Sequence, residues 1–190
     1  MNKIIWPLLL CAVLCGCGGG ETGNAVQEQY RTLETARLEA EVTSHTSTDS
    51  RTFTLLCSYD ADGDAVTTVT DPGELAGLTA VVSGTDMTLS SEGLQLPAGA
   101  SLDICPANCL PYLLRALADG YVLEQSSEAL DDTPCLRLAL DTTAPGGGKV
   151  LCAVWLDAEG LFPLYAEFSR NEQVVLTVRL LAFTCTTSEG

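Results

Sequence analysis

Cysteine is the residue type with the most covalent chemistry available in this chain. The sequence has nine cysteines but a single histidine in 190 residues. Six of the cysteines lie well beyond the N-terminal segment: Cys57, Cys105, Cys109, Cys135, Cys152 and Cys185. An even number in an exported domain favours disulfides, whereas the same residues can also pack as small hydrophobic side chains. The sequence leaves both interpretations open.

One disulfide is predicted from strand register. Cys135 and Cys152 lie on consecutive predicted strands, joined by a turn over Thr142 to Gly147. An antiparallel pair centred between residues 143 and 144 would place the two cysteines opposite each other, within disulfide range. Cys105 can pair with Cys109 if the chain before Pro111 is not helical.

A pairing of Cys57 with Cys185 then follows by elimination alone.

The N-terminus predicts a different chemistry for Cys17. Lys3 is followed by an apolar run from Ile4 to Leu14. That run is shorter than the about 20 residues of a membrane-spanning helix, and it has the order of a signal-peptide core. The next residues, Leu14-Cys15-Gly16-Cys17, resemble a bacterial lipobox. In such a motif the last cysteine receives a diacylglycerol and the signal is cleaved in front of it.

We therefore expect residues 1–16 to be a lipoprotein signal peptide and residues 17–24 a lipidated, glycine-rich tether. The protein would be extracytoplasmic and anchored by its N-terminal diacylglycerol to the bacterial cell membrane. An ordinary signal peptide cut near the glycines is the alternative.

The charge balance excludes some classes of partner. The chain has 25 acidic and 9 basic residues, for a net charge of −16. A surface this acidic argues against binding nucleic acid and against docking directly on anionic lipid. It does not argue against a covalent lipid anchor.

The sequence gives no pattern for catalysis, a metal or a cofactor. His45 lies at a polar strand end, and no serine or cysteine can be matched with it to form a catalytic pair. Cys105 and Cys109 lack the further ligands of a zinc site. The segment from Asp60 to Asp64 has its glycine at the wrong position for a calcium loop, and Pro145 to Lys149 lacks the Ser or Thr of a phosphate loop. We expect a protein that is not an enzyme.

Apolar periodicity predicts a mainly β domain of the α+β class. Helical spacing predicts one helix over residues 25–37 and a second over Ala107 to Asp119, ending at Gly120. Alternation with period two predicts about ten antiparallel strands, including a stub at Leu94 to Leu96. Several strands are apolar on both faces, so the sheet should be covered on one side and face helices or a cavity on the other.

Three stretches resemble the LolA-like, or lipoprotein-carrier, family. They are the strand Leu38–Val42 after the first helix, Val69–Leu78, and Val154–Glu167 together with Val174–Val178. The resemblance implies a single domain over residues 25–185, with residues 186–190 as a polar tail. It implies an incomplete antiparallel barrel whose two principal helices cover the concave face. In some members of the family an apolar cavity holds acyl chains. The anchor and the six cysteines depart from the soluble carrier, so shuttling between membranes is not expected.

Eight apolar residues are expected to meet between the second helix and the sheet. They are Leu55, Leu110, Leu113, Leu114, Leu117, Leu136, Leu138 and Val178. If they leave a gap, the domain would bind a lipid or other hydrophobic ligand at the cell envelope. If they pack tightly, it would act as a regulatory or interaction lipoprotein that binds an exported protein partner.

Overall fold

The first helix and the first strand lie closer to the N-terminus than the sequence pattern predicts. The computed structural model describes residues 19–100, 103–144 and 147–188, so the predicted signal peptide and Cys17 lie outside the described residues. Helix α1 spans Gly19–Arg31 and strand β1 spans Leu33–His45. The helix predicted over 25–37 therefore ends early, and it begins inside the predicted tether.

The register of β1 explains this difference. Ala36, Leu38, Ala40 and Val42 are buried in alternation with exposed residues, which is the pattern of a strand. β1 also pairs along most of its length with a neighbour on each side. Those two ladders of hydrogen bonds outweigh the helical spacing that residues 33 and 37 share with α1.

The remaining elements follow in chain order. Five strands come first: β2 Ser50–Asp60, β3 Ala65–Asp71, β4 Thr79–Ser83, β5 Asp86–Ser91 and β6 Leu94–Ala100, with a short 3-10 helix at Gly73–Leu75. Helix α2 covers Cys109–Asp119. Five more strands complete the domain: β7 Tyr121–Leu130, β8 Thr133–Thr143, β9 Lys149–Asp157, β10 Pro163–Arg170 and β11 Gln173–Thr187.

All eleven strands form one open antiparallel sheet in the order β6-β5-β4-β3-β2-β1-β11-β10-β9-β8-β7. The sheet does not close, which confirms the incomplete barrel predicted from the sequence. The predicted stub at Leu94 is the full edge strand β6, and β7 forms the other edge. The first and last strands, β1 and β11, pair at the centre and join two wings, one of β2–β6 and one of β7–β10.

Helix α2 is the centre of the core. Nine of its eleven residues are buried, with Arg115 and Asp119 as the exceptions. A helix that is apolar on nearly all sides must be surrounded, and α2 packs beneath the concave face with α1 beside it. Gln27 fixes α1 to the end of α2, since its Nε2 donates to the carbonyl of Gly120 at 2.6 Å.

Among the described residues, no helix combines the length and the apolar character needed to cross a membrane.

We expect truncation of the α2 stripe to destabilise the domain. Leu113→Ala removes a side chain with no exposed surface and should lower the free energy of unfolding by about 2–5 kcal/mol. The matched control is Leu123→Ala on β7, where the leucine is exposed and the expected change is within about 0.5 kcal/mol. Urea unfolding followed by circular dichroism measures both. Equal losses in the two variants would contradict the central role of α2.

Candidate binding surfaces

The eight residues predicted to line a ligand cavity are brought together, but they fill the space between α2 and the sheet. All eight belong to one apolar cluster and have exposed fractions between 0 and 7 %. A side chain that lined a ligand-sized cavity would expose surface to the space inside it, and Leu110, Leu113 and Leu117 expose none. In this structure these residues form a packed core and not a cavity, because α2 occupies the interior of the barrel.

An open groove lies at the mouth of the barrel, beside the exposed end of α2. It has a volume of about 530 Å³ and is lined by α2, the β4–β5 turn and the end of β8. Arg115 crosses it, with Nη1 donating to the carbonyl of Gly84 at 3.0 Å. Tyr112 shares a hydrogen bond with Thr142, and burial raises the pKa of the Tyr112 hydroxyl. The groove has the size of a small-molecule site, but polar groups contribute much of its lining.

Apart from Arg51 near the start of β2, which pairs with Asp49, the charged residues of the wing formed by β2–β6 are all acidic. Residues 52–100 contain seven acidic residues and no lysine or arginine. They are Asp60, Asp62, Asp64, Asp71, Glu74, Asp86 and Glu92, and all are exposed. None of the seven forms an ion pair with another described residue. We call this surface the acidic wing.

The edge of the acidic wing is also apolar. On β6, Leu94 is 75 % exposed and Leu96 is 69 % exposed. Leu96 lies opposite Leu89 of β5, which packs against a small second apolar cluster of Ala65, Ala80, Val82 and Met87. Leu94 and Leu96 therefore continue the apolar face of this second cluster onto the edge strand, where no further strand of the described residues covers them.

A row of cationic and aromatic side chains lies on the convex face, and the sequence pattern does not reveal it. Arg137, Trp155, Tyr165 and Arg179 lie opposite one another across β8, β9, β10 and β11. The guanidinium of Arg137 lies 5.3 Å from the Trp155 ring centroid, and the Trp155 and Tyr165 rings are 5.4 Å apart. The row is visible only when the strands are in register, since its members are far apart in sequence.

Acidic residues form ion pairs with the arginines at both ends of this row. Arg137 pairs with Glu124 at 3.2 Å, and Arg179 pairs with Asp131 at 3.1 Å. Trp155 donates its indole N–H to Glu128 at 3.0 Å. Burial raises the pKa of Tyr165 to about 12. The charged groups of the row are already paired within the domain. We therefore interpret the row as stabilising the β7–β8 hairpin and not as a binding site.

The other polar residues singled out from the sequence have structural partners. His45 lies within 3.1 Å of the Ser50 hydroxyl and 3.2 Å of the Thr177 hydroxyl. Asp60 accepts a hydrogen bond from the backbone N–H of Asp62 and so shapes the β2–β3 turn. The described residues contain no group of three or more His, Cys, Asp or Glu arranged to hold a metal ion.

The predicted Cys135–Cys152 disulfide is wrong in register. Cys135 lies opposite Asp157 and Cys152 lies opposite Leu140, so they are roughly 16 Å apart along the ladder at about 3.3 Å per residue. The β8–β9 turn lies later than predicted, because Thr143 still pairs with Lys149. Cys152 belongs to the core cluster, whereas Cys135 is buried outside it.

The pairing of Cys57 with Cys185 is also wrong. Leu38 of β1 lies between the two strands that carry them, since it pairs with Cys57 on one side and with Phe183 on the other. Two strand spacings amount to about 9–10 Å, which exceeds the Cα separation that a disulfide allows.

The structure instead brings both Cys57 and Cys105 close to Cys109. The backbone N–H of Cys109 donates to the carbonyl of Cys105 at 3.0 Å, one helical turn apart. Burial raises the pKa of the Cys109 thiol well above its usual value, and the neighbouring Cys105 and Cys57 raise it further. Burial likewise raises the pKa of Cys57 to about 11. All three sulfurs are unbonded in the structure.

We expect any intramolecular disulfide to lie within this group of three. Treatment of the purified domain with oxidised glutathione, followed by alkylation and non-reducing peptide mapping, should give crosslinks among the peptides that contain Cys57, Cys105 and Cys109. Cys135 and Cys152 should be recovered as separate alkylated peptides and serve as internal controls. A crosslink between those two would contradict the register of β8 and β9.

Several solved structures of low sequence identity are similar to this chain. A DUF1329 family protein from Desulfovibrio piger is 14 % identical, with 90 % of this chain and 94 % of that chain covered and a TM-score of 0.52. An uncharacterized conserved protein from Thermus thermophilus is 9 % identical, with coverages of 89 % and 88 % and a TM-score of 0.52. A LolA superfamily protein from Nitrosomonas europaea is 12 % identical, with coverages of 88 % and 94 % and a TM-score of 0.47.

No protein-family model matches the sequence, and no curated protein matches it either. The likeness is therefore one of fold. Its eleven antiparallel strands, in one open sheet around a central helix, form the incomplete barrel that the resemblance to the LolA-like family predicts.

Proposed function

We propose that this protein is an extracytoplasmic lipoprotein, anchored through Cys17, whose LolA-like domain binds an exported protein partner rich in basic and apolar residues. The observation that carries the proposal is the segregation of charge between the two wings. The acidic wing has seven exposed, unpaired carboxylates among the described residues and no cation within residues 52–100.

In the rest of the domain, acidic and basic residues occur together and many of them form ion pairs. Most of its basic residues are already in ion pairs with acidic residues, such as Arg31 with Asp119 and Arg170 with Asp103. Carboxylates that lack internal partners attract cations over about one Debye length, roughly 8–10 Å at moderate salt. A partner with basic residues is therefore drawn to the acidic wing and not to the convex row, where charges are neutralised within the domain.

The packed core favours a protein partner over a lipid carried inside the barrel. The leucines of α2 that face the sheet expose almost no surface, which supports a filled interior, whereas the seven carboxylates of the acidic wing are exposed. The mouth groove of about 530 Å³ is the one observation that favours a second candidate function, binding of a small hydrophobic ligand. Native mass spectrometry of the domain purified from cells separates the two, because a retained lipid would support the second.

Lipid anchoring is tested by replacing the thiol. Cys17→Ser should abolish incorporation of labelled palmitate and should release the protein or leave it unprocessed, because a hydroxyl is not alkylated by the diacylglycerol transfer step. The matched control is Cys15→Ser, which changes a cysteine two residues earlier and should leave labelling intact. Labelling and membrane fractionation are the measurements. Unchanged labelling of the Cys17→Ser protein would refute the anchor.

The charge proposal is tested with a defined probe, a decapeptide of alternating lysine and valine carrying a fluorophore. We expect neutralisation of Asp64, Asp71, Glu74 and Asp86 to Asn or Gln to weaken binding at least tenfold in fluorescence anisotropy, because these carboxylates lie on the acidic wing. Binding should also weaken between 50 and 500 mM salt.

The control variant has the same change in net charge as the acidic-wing variant, but its substitutions lie on other parts of the domain. Its four substitutions neutralise exposed acidic residues outside the acidic wing: Glu28, Asp132, Glu159 and Glu172. These should alter affinity by no more than about twofold. Equal losses in the two variants would show that net charge alone governs binding and would overturn the proposal.

A further inference from the structure

We infer that the partner binds by adding an extended strand to the free edge of β6, with basic side chains beside Asp86 and Glu92 of the acidic wing and apolar side chains beside Leu94 and Leu96. The inference rests on the proposed function and specifies how the partner is recognised. Within the described residues, β6 pairs with β5 alone, so its outer row of N–H and C=O groups has no strand partner. Such an edge is a template for strand addition.

The two edges of the sheet differ in how well they are protected. β7 carries Glu124 and Glu128, both held by Arg137, and it has a register shift between Val122 and Glu124. Charged side chains blunt an edge and distinguish β7 from β6, whereas a register shift occurs at both edges, on the β6 side between Met87 and Thr88 of β5. β6 reads Leu-Gln-Leu-Pro-Ala-Gly-Ala and has no charged residue.

The regular part of β6 fixes the size of the segment that it can accept. Residues from Leu94 to Pro97 pair with β5 without interruption, and a register shift follows at Thr88 of β5. Pro97 has no backbone N–H to offer, which limits the donors available on this strand. The geometry therefore fits a short extended segment of about four or five residues, with apolar side chains at alternate positions.

The same alternation determines the chemistry of the added strand. Leu94 and Leu96 share one face of β6, and Leu96 lies opposite Leu89 at the margin of the second apolar cluster. An added strand would place every second side chain on that face and complete the cluster, while its other side chains point away. Glu92 and Asp86, both exposed at the ends of β5, supply negative charge close to this edge. A segment alternating apolar and basic residues satisfies both requirements.

The occupant is an extended segment of another protein and not a second copy of this chain. A second copy would bring its own acidic wing to the same edge, and like charges placed there oppose association. A basic segment reverses that repulsion. Self-association through β6 is an outcome that sedimentation of the unliganded protein would reveal, and it would overturn the inference.

The experiment uses the full mature protein and the lysine–valine decapeptide. The variant Leu94→Ser with Leu96→Ser keeps all charges and should weaken peptide binding at least tenfold. The matched control changes the other edge, Tyr121→Ser with Leu123→Ser, where the side chains are also exposed. It should change affinity by no more than about twofold.

Two backbone measurements do not depend on the folding of any variant. Analogues of the peptide methylated on the valine or on the lysine backbone nitrogens lose the donors of one strand edge each but keep every charge. At least one of them should bind at least tenfold more weakly. In the unmodified protein, hydrogen exchange of the β6 amides should slow when the peptide is added, and exchange of the β7 amides should not change.

The outcomes separate this inference from the proposed function. If binding depends on the acidic wing but is indifferent to both methylated analogues and to the β6 leucines, strand addition is wrong and the charge proposal stands. If binding is indifferent to the acidic wing as well, both are wrong. Slower exchange at β7 in place of β6 would assign the added strand to the opposite edge and overturn the inference.

Discussion

The structure depends on burying one short helix from nearly all sides. Helix α2 is eleven residues long, too short to be stable in isolation, and tertiary packing must therefore hold it in place. Its leucines form the contact surface that the concave face of the sheet curves around, with α1 on the remaining side. The same packing fills the space that an internal ligand would need. The contacts that stabilise the fold are therefore also the contacts that fill the interior. Binding is thereby left to the outer parts of the sheet, where the acidic wing and the edge of β6 remain uncovered.

Much of this architecture could be predicted from local patterns. The end of α2 at Gly120 and the bounds of β9 at Lys149 and Asp157 agree with the expected elements, because a stop signal and uninterrupted β-branched and aliphatic residues define them locally. The end of α1 could not be predicted, since the residues after Arg31 fit either period and pairing with two distant strands decides between them. The β8–β9 register depends on where a glycine-rich loop turns, and an error of a few residues there was enough to align Cys135 with Cys152 incorrectly.

The candidate sites were harder to anticipate than the fold. The leucine stripe of α2 was identified correctly as facing the sheet, but a sequence cannot distinguish a filled interior from an empty one, since both need the same apolar residues. The proximity of Cys57 to Cys109 comes from the packing of α2 on the sheet and leaves no trace in spacing. The sequence alone shows that residues 52–100 contain no lysine or arginine. That they form one continuous acidic surface becomes apparent only when the strands are known to lie side by side in one wing of the sheet.

The central position of β11 has a consequence for how the chain can fold as it is made. Leu33, at the start of β1, pairs with Thr187, near the end of the chain, so the two wings meet through the last strand to emerge. A polypeptide delivered N-terminus first, from a ribosome or through a translocation pore, cannot form this seam until β11, the last strand of the described domain, has appeared. Contacts so distant in sequence make folding slow, because the intervening chain must be ordered first. The topology thus delays formation of the compact state until all strands of the domain have been delivered, and a chain that is not yet compact is one that can be threaded through a narrow channel.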